Sequence, residues 1–494
     1  MDRPTNNPKH RQRTIYFNDA RHYYLFVHEP PMSREVAGSP VDEIAGTGVD
    51  TFVYGVSRDD GLFYPSKVGR RFGVGQPLAM SAYWRVWHNM QSLMDSGLDP
   101  LTVLIDRAHE RQMEFIASLR MGAFPGAGDG VSPREGGRGM ADEGVREHQF
   151  KVLQELVCDY PTDGIELDFS AAPMGTDWWV PADELAEHAS LMTDFLRRVR
   201  DMAHNRDGTP AVVGARIYPT RELNRAAGLQ VERWLQEGLI DYVVPLVYGF
   251  MILDPDMPID WLVAAAAATP VSVYAMMQPY YVDESRPLNW RQYASAPMYR
   301  AAAANAWQRG VDGLYAWFMH WPPAATERAI LTELAHPEQL HRQDRHYVLR
   351  RSTEVTGDTD YPAHLPLRFA PATDLGKSQQ IPFTIADDAA TDAHVTQVTL
   401  RLAITDLTSA DRFDLQLNGQ SLAGLPRRRS PMRDIDPYAG QRLEIDLRSQ
   451  PPKRGANVLQ ITLLSRPEDL LSDLILEDVE LIVGYDTYAA ADFA

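Results

Sequence analysis

Residues 163–170 read DGIELDFS, and this stretch decides the fold. It begins with a turn residue and a glycine, and the positions that follow alternate between apolar and polar side chains, as in a β-strand with two different faces. The apolar positions point to one face, while Glu166, Asp168 and Ser170 point to the other. We therefore predict a strand whose apolar face packs on helices and whose polar face lines an interior.

Further runs of β-branched and aromatic residues lie on either side of this strand, at residues 14–17, 51–56, 114–119, 212–217, 242–248, 271–276 and 313–318. Helical patterns separate them, for example at residues 100–111, 183–205, 231–237 and 298–309. Strands that alternate with helices in this way predict an α/β fold, a (β/α)8 or TIM barrel with enlarged loops. A doubly wound sheet is the alternative, but no Gly-x-Gly-x-x-Gly follows the first strand. One more extended piece is predicted at residues 23–28.

The composition changes near residue 345. All ten tryptophans precede residue 322, and beyond residue 346 alternating strand patterns replace helices. The dipeptide Asn418-Gly419 between two such patterns is typical of a β-hairpin. We predict a disordered N-terminal segment (1–13), a barrel domain (14–345) and an all-β sandwich of jelly-roll type (346–494).

The chain is acidic: it contains 48 Lys and Arg residues and 67 Asp and Glu residues, which give a formal net charge of −19. This charge repels the phosphates of nucleic acids and of anionic lipids. No apolar run approaches the roughly 20 residues of a membrane helix. The sequence therefore predicts neither a nucleic-acid partner nor a membrane partner.

Two features bear on the cellular compartment. Residues 1–13 are polar and basic and lack the apolar segment of a secretory signal, which predicts a cytoplasmic protein. A periplasmic or secreted protein is the alternative if a signal peptide has been removed. The one cysteine, Cys158, excludes an intramolecular disulfide and a thiolate metal cluster.

The two acids of the 163–170 stretch are candidate catalytic groups. Burying two carboxyl groups together separates their pKa values, so that a proton donor and an anion coexist at one pH. Asp168 lies nearer the C-terminal end of the strand, where barrel enzymes place catalytic groups, and is the first candidate. Glu166 lies deeper, and is either its catalytic partner or a structural acid paired with an arginine. Arg120 and Arg216, on the two flanking strands, are available for that pair.

Other polar side chains also follow strands. The first strand ends in Asn18 and Asp19, and Asp19 is either the second catalytic carboxylate or a turn cap. His320, after the last strand, is a proton shuttle, a ligand for substrate hydroxyls or a structural histidine. The chain has no His-x-His or His-Glu-x-x-His pattern, so it predicts neither a metal site nor a cofactor.

Aromatic side chains are the best indication of a substrate. Sugars present apolar C–H faces that stack on indole and phenol rings, while their hydroxyls bond to carboxylates and arginines. About half of the candidate rings are expected to be packing residues. Two nearby arginines also suit an acidic sugar. The predicted substrate-binding residues are Asn18, Arg120, Trp178, Arg216, Tyr248, Tyr280, Trp317, His320 and Trp321.

A glycine-rich segment follows the third strand. Residues 122–144 contain eight of the 33 glycines, at the end of the barrel where active sites are built. This segment is either a mobile lid over the substrate or an insertion without a role in binding.

The fourth-strand stretch resembles the Asp-Gly-x-Asp-x-Asp-x-Glu motif of family-18 chitinase-like barrels. The segments LVY at 246–248 and GLYAW at 313–317 are similar to the sixth- and eighth-strand patterns of that family. The resemblance covers residues 14–321 and extends to glycosyl hydrolase-like bacterial barrels with an appended β-sandwich. The catalytic acid of the chitinase motif is replaced by Ser170, so substrate-assisted hydrolysis by that residue is excluded.

Together, the residues and the resemblance predict a glycoside hydrolase that acts on a poly- or oligosaccharide. Asp168 is the predicted catalytic carboxylate, with Asp19 or Glu166 as its partner. Two alternatives remain open at this point. Ser170 favours a carbohydrate-binding pseudoenzyme, and the arginines favour a sugar-acid lyase or isomerase on the same barrel.

Overall fold

The first two thirds of the chain form a closed barrel of eight parallel strands. The computed structural model describes residues 10–19, 24–58, 61–170, 179–247, 251–283, 286, 291–351, 361, 363–433 and 436–486. The barrel strands are β1 (Arg13–Asp19), β2 (Thr51–Gly55), β3 (Glu114–Arg120), β4 (Gly164–Asp168), β5 (Val212–Ile217), β6 (Tyr242–Pro245), β7 (Ser272–Met277) and β8 (Gly313–Ala316). Each strand pairs with the next one along the chain, and β1 pairs with β8 to close the barrel. The predicted TIM barrel is confirmed.

Helices connect the strands and cover the barrel. They span Tyr24–Val27, Arg34–Asp42, Ser81–Asp95, Pro100–Glu110, Glu143–Cys158, Leu191–His204, Arg221–Ala226, Val231–Glu237, Asp260–Ala266, Ala296–Arg309 and Ala325–Ala335. Short 3-10 turns occur at Pro133–Glu135, Gly139–Ala141, Ala182–Glu184 and Pro337–Leu340. Buried aliphatic and aromatic side chains from strands and helices form one continuous core.

Two local predictions were wrong. The extended piece expected at 23–28 contains the helix Tyr24–Val27 instead. Both edges of β1 are already paired, with β2 and β8, so a further strand has no partner there. The helix expected over 183–205 begins only at Leu191, because residues 185–190 form turns after a 3-10 segment.

The C-terminal third is a sandwich of antiparallel sheets. One sheet has the order Arg345–Val348, Leu474–Tyr485, Val395–Thr405, Gly440–Asp446 and Arg427–Pro431, with Leu367–Phe369 also paired to Leu474–Tyr485. The other has the order Ser378–Ile385, Gly455–Ser465, Arg412–Leu417 and Gln420–Ser421. A short helix spans Pro371–Asp374. Alternate residues of both sheets, such as Leu402, Ile461 and Leu481, form a second buried core.

The Asn418-Gly419 turn joins two strands as predicted. Both residues have positive φ angles, 52° and 79°, and Leu417 pairs with Gln420 across the turn. This is the conformation that a two-residue hairpin needs and that Asn-Gly adopts at low cost. Two further hairpins lie on the barrel, Ser57–Arg58 with Gly61–Leu62 and Tyr280–Val282 with Arg291–Tyr293.

Part of the predicted disordered N-terminal segment contacts the barrel. His10 Nδ1 lies 2.9 Å from Asp312 Oδ1. Arg13 begins β1 and donates from Nε to Glu114 Oε2 at 2.9 Å. Residues 1–9 lie outside the described residues. Within the described part of the chain, no helix is both long enough and apolar enough to cross a membrane.

Candidate active site

Glu166 forms the floor of the candidate site, on the inner face of β4. Its carboxylate is fully buried and accepts hydrogen bonds from Ser118 Oγ at 2.8 Å, Tyr315 Oη at 3.0 Å and Tyr242 Oη at 3.0 Å. These donors come from β3, β8 and β6, so the carboxylate stands in the centre of the barrel. Burial raises the pKa of Glu166, and the charge of Arg216 opposes that shift.

Arg216 joins the two acids of β4. Its Nε lies 2.8 Å from Glu166 Oε1, and its Nη2 lies 3.1 Å from Asp168 Oδ2. The guanidinium carbon also lies 4.0 Å from the ring centre of Phe17 and 5.1 Å from that of Trp317. Aromatic faces and carboxylates thus surround a cation that is only 1 % exposed. No described residue accepts a hydrogen bond from its Nη1.

Gly214 makes room for one of the rings that reach Glu166. A β-carbon at this position would lie 2.0 Å from Cζ of Tyr242. Gly214 pairs with Glu166 on one side and with Tyr242 on the other. The missing side chain therefore lets the Tyr242 ring cross the neighbouring strand and bring its hydroxyl to the carboxylate.

Asp168 lies above Glu166 at the C-terminal end of β4. Its Oδ1 accepts hydrogen bonds from the Ser170 backbone N–H at 3.1 Å and from Ser170 Oγ at 3.2 Å. With Arg216 on the other oxygen, the carboxylate is held in one orientation. Tyr218 lies close by, and burial followed by the charge of Asp168 raises the pKa of its phenol.

Asp19 ends β1 and forms a second ion pair at the same end of the barrel. Its Oδ2 lies 2.9 Å from Arg120 Nη2, and the aspartate is 2 % exposed. Arg120 pairs in register with Asp168 on the adjacent strand. Asn18, next to Asp19, is also buried. The structure therefore places Asp19, Arg120, Asp168 and Arg216 at the C-terminal ends of β1, β3, β4 and β5.

The predicted aromatic groups fall into different environments. Trp317 is fully buried against Phe17 and Arg216. Trp321 donates from Nε1 to Glu43 Oε1 at 2.9 Å. Tyr280 and Tyr293 stand 4.9 Å apart between ring centres in the hairpin that follows β7.

His320 is exposed, and its ring centre lies 4.9 Å from that of Tyr293. The hairpin and the end of β8 therefore place an imidazole beside the phenol ring of Tyr293. Two predicted substrate-binding residues, Trp178 and Tyr248, lie outside the described residues.

Sequence reasoning missed three of the groups around Glu166, namely Ser118, Tyr242 and Tyr315. Each occupies an inward position of its strand, and the alternation of side chains along a strand was the available signal. Nothing in that pattern shows that the hydroxyls meet at one carboxylate, because the meeting point depends on the stagger of the closed barrel.

The glycine-rich segment after β3 is tied to the segment after β4. The Met140 backbone N–H donates to the Trp179 carbonyl at 2.5 Å, and Arg138 pairs with Glu184 at 2.7 Å. At Gly139, which has a φ of 47°, a β-carbon would lie 2.6 Å from the same Trp179 carbonyl. Glycine is therefore required where these two loops approach each other.

The described residues contain no cluster of three or more His, Cys, Asp or Glu side chains that could hold a metal ion. The chemistry available at the site is that of carboxylates, phenols and guanidinium groups. Such groups transfer protons, stabilise a developing positive charge and bond to hydroxyls.

Comparisons with known proteins give no sequence-level relative. No family model matches the chain, and no curated protein matches it. Among solved structures, α-L-fucosidase isoenzyme 2 from Paenibacillus thiaminolyticus is 11% identical with a TM-score of 0.42. The match covers 69% of this chain and 54% of the fucosidase chain. The present chain thus spans about half the length of that fucosidase.

Two further solved structures are also glycoside hydrolases. A family-18 N-acetylglucosaminidase from Paenibacillus barengoltzii is 13% identical with a TM-score of 0.37, covering 65% of this chain and 99% of its own. A putative α-L-fucosidase from Bacteroides thetaiotaomicron is 10% identical with a TM-score of 0.36, covering 96% of each chain. The barrel and sandwich of the present chain are defined by its own strand pairing.

Proposed function

We propose that this chain is a glycoside hydrolase that acts on an oligo- or polysaccharide through carboxylates at the C-terminal ends of β1 and β4. The observation that carries the proposal is Asp168, a buried carboxylate held by Ser170 and Arg216 at the end of a barrel strand. Barrel enzymes place their reacting groups at this end. Glycosidases need two carboxyl groups, one to protonate the leaving oxygen and one to attack carbon or activate water.

Asp19 is the proposed partner of Asp168. Glu166 is the less suitable partner, because its two oxygens already accept hydrogen bonds from Ser118, Tyr242 and Tyr315. A carboxyl group with so many donors stays fixed in place and keeps Arg216 in position below Asp168. We assign Glu166 to that positioning role.

The charge of the site favours a neutral sugar. Arg120 pairs with Asp19, and Arg216 pairs with both Glu166 and Asp168, so the positive charge of these two arginines is compensated. An acidic sugar needs an uncompensated cation. The proposed contacts to the substrate are Asn18, Arg120, Trp178, Arg216, Tyr248, Tyr280, Trp317, His320 and Trp321. Nη1 of Arg216, which donates to none of the described residues, is the donor we expect to meet a hydroxyl.

The test compares wild-type protein with Asp168→Asn and Asp19→Asn on a panel of polysaccharides and aryl glycosides, with products identified by mass spectrometry. Asparagine keeps the shape of aspartate but cannot ionise. We expect each variant to lose about 10³-fold in kcat, the scale of a proton-transfer or nucleophilic group. Asp159→Asn is the matched control, since Asp159 pairs with exposed Lys67 and precedes β4, whereas Asp168 ends that strand. We expect this variant to keep wild-type activity.

Each alternative function predicts a different result. Products that lack the elements of water indicate a lyase, and glycan binding without turnover by the wild type indicates a binding protein. Equal activity of wild type and Asp168→Asn contradicts the proposed role of Asp168.

A further inference from the structure

Residues 251–258, in the loop that precedes the helix Asp260–Ala266, lie between the barrel and the sandwich. Arg350, from the sandwich side, donates from Nε to Asp254 Oδ2 at 2.7 Å and also donates to the Asp256 carbonyl. The hydroxyl of Tyr361 donates to the same Asp254 carboxylate, and the Arg350 guanidinium lies 5.0 Å from the Tyr361 ring centre. A desolvated ion pair with additional hydrogen bonds therefore joins the sandwich to this loop.

Asp256 gives the loop a second attachment. Its Oδ2 accepts a hydrogen bond from the Thr384 backbone N–H of the sandwich at 3.0 Å, and its carboxylate also pairs with Arg309. The buried amide of Asn305 donates to Pro255 O and to Thr384 O, both at 2.8 Å. The polar groups of residues 254–256 are thus bonded to the sandwich and to the helix Ala296–Arg309.

The same loop is bonded to the mouth of the barrel. The Leu253 backbone N–H donates to the Tyr280 carbonyl at 2.7 Å, and Gln278 Nε2 donates to the Val247 carbonyl at 2.7 Å. Tyr280 belongs to the hairpin after β7, which carries Tyr293 against His320. A displacement of the loop is therefore transmitted to groups that we expect to contact the substrate.

We propose that Arg350 is a positioning residue through which the sandwich holds loop residues 251–258, and with them the β7 hairpin, in the arrangement that receives the substrate. This inference rests on the proposed function for its kinetic consequence, but the fixing of the loop is measurable without it. Surface loops have few backbone partners of their own, so their order depends on such tertiary contacts. Displacing a substrate-binding group by about 1 Å is enough to weaken binding.

The experiment uses the full chain with Arg350→Met, which keeps the aliphatic stem and removes the donors, and Arg350→Lys, which restores the charge. The matched control is Arg368→Met, because Arg368 is a 73 % exposed sandwich arginine paired with Asp473. Amide hydrogen exchange is measured for residues 251–258 and 280–283, together with kcat and KM on the glycan found for the wild type.

In Arg350→Met we expect exchange in residues 251–258 to rise about tenfold, as for the loss of one charge-assisted hydrogen bond. Exchange in β1 to β4 should stay unchanged. KM should rise about tenfold while kcat changes by less than about threefold, and Arg350→Lys should recover part of the loss. Arg368→Met should match the wild type in every measurement.

If the loop amides of Arg350→Met exchange at the wild-type rate, the proposal is wrong, whatever the activity of the variant. Raised exchange with an unchanged KM also overturns it, because the loop would then be held without positioning any substrate group. If the wild type hydrolyses no glycan, the proposed function fails, and loop exchange alone decides whether Arg350 holds the loop.

Discussion

Each of the two domains buries an arginine, and the surroundings of the two residues differ. In the sandwich, Arg466 donates to both oxygens of Asp411 at 3.1 Å, to the Asp406 carbonyl at 3.2 Å and to Ser472 Oγ at 2.9 Å. One cation faces one carboxylate, and its two terminal nitrogens also bond to neutral oxygens. These bonds connect the residues that precede the strand Arg412–Leu417 to the residues that follow the strand Gly455–Ser465.

In the barrel, Arg216 faces two buried carboxylates, Glu166 and Asp168. Burying an excess of negative charge is costly, and a fold alone does not require it. Burial correspondingly raises the pKa of Glu166. The comparison teaches that a charge-balanced buried pair serves the fold, whereas the imbalanced set in the barrel lies where the proposed function places its chemistry.

The largest effect is expected for Arg216→Met, which leaves Glu166 and Asp168 without their shared cation. We expect the free energy of unfolding of the barrel to fall by about 4 kcal/mol, as for other buried pairs that lose one partner. Urea denaturation followed by tryptophan fluorescence measures this, because all ten tryptophans precede residue 322. A loss below about 1 kcal/mol would mean that the two acids are already neutral in the folded protein.

Arg466→Met should have the next largest effect on stability, about 3 kcal/mol, because one carboxylate rather than two loses its cation. Asp411 also keeps the donors of Thr408, its N–H at 2.7 Å and its hydroxyl at 2.9 Å. Turnover of the glycan substrate should remain at the wild-type level. A loss of turnover in a folded Arg466→Met protein would remove the functional distinction between the two arginines.

Removing one neutral donor from Glu166 should cost less than either arginine. In Tyr242→Phe and Tyr315→Phe the ring remains and one hydrogen bond to the carboxylate is lost. We expect each variant to lose about 1.5 kcal/mol of unfolding free energy. A double variant that loses much more than the sum would show that the two hydroxyls act as one network.

The smallest effect is the pH dependence contributed by Glu166. Its folded-state pKa lies above the ordinary value of 4.5, so its contribution to stability is complete below that pH and is lost as the pH rises toward the raised pKa. The difference in unfolding free energy between wild type and Glu166→Gln should therefore shrink from pH 4.5 upward. A difference that widens over this range would mean that Arg216 lowers the pKa instead.

The sequence predicted most of the barrel because each element has a local signal. The alternation in residues 163–170 put Glu166 and Asp168 on the inner face, and the contacts of Glu166 with β3, β6 and β8 agree with that. The failure at Tyr24–Val27 has a physical cause. A short apolar run is compatible with a strand or a helix. Here the run forms a helix, because both edges of β1 are already paired and leave no partner for a further strand.

The candidate site could be predicted only residue by residue. Strand-end positions identified Asp19, Arg120, Asp168 and Arg216, but which arginine pairs with which acid was open. In the structure Arg216 forms ion pairs with Glu166 and Asp168, and Arg120 forms an ion pair with Asp19. These pairings depend on how side chains from separate strands meet in the barrel interior.

The sequence by itself determined the number of barrel strands, the inward face of β4 and the change to an all-β domain, because periodicity and turn residues are properties of neighbouring positions. Only the tertiary structure decided that Gly214 admits the Tyr242 ring to Glu166, and that Arg350 bonds to Asp254, 96 residues earlier in the chain. The physical reason is that barrel closure and domain packing fix distances between residues whose spacing along the chain carries no information about their separation in space.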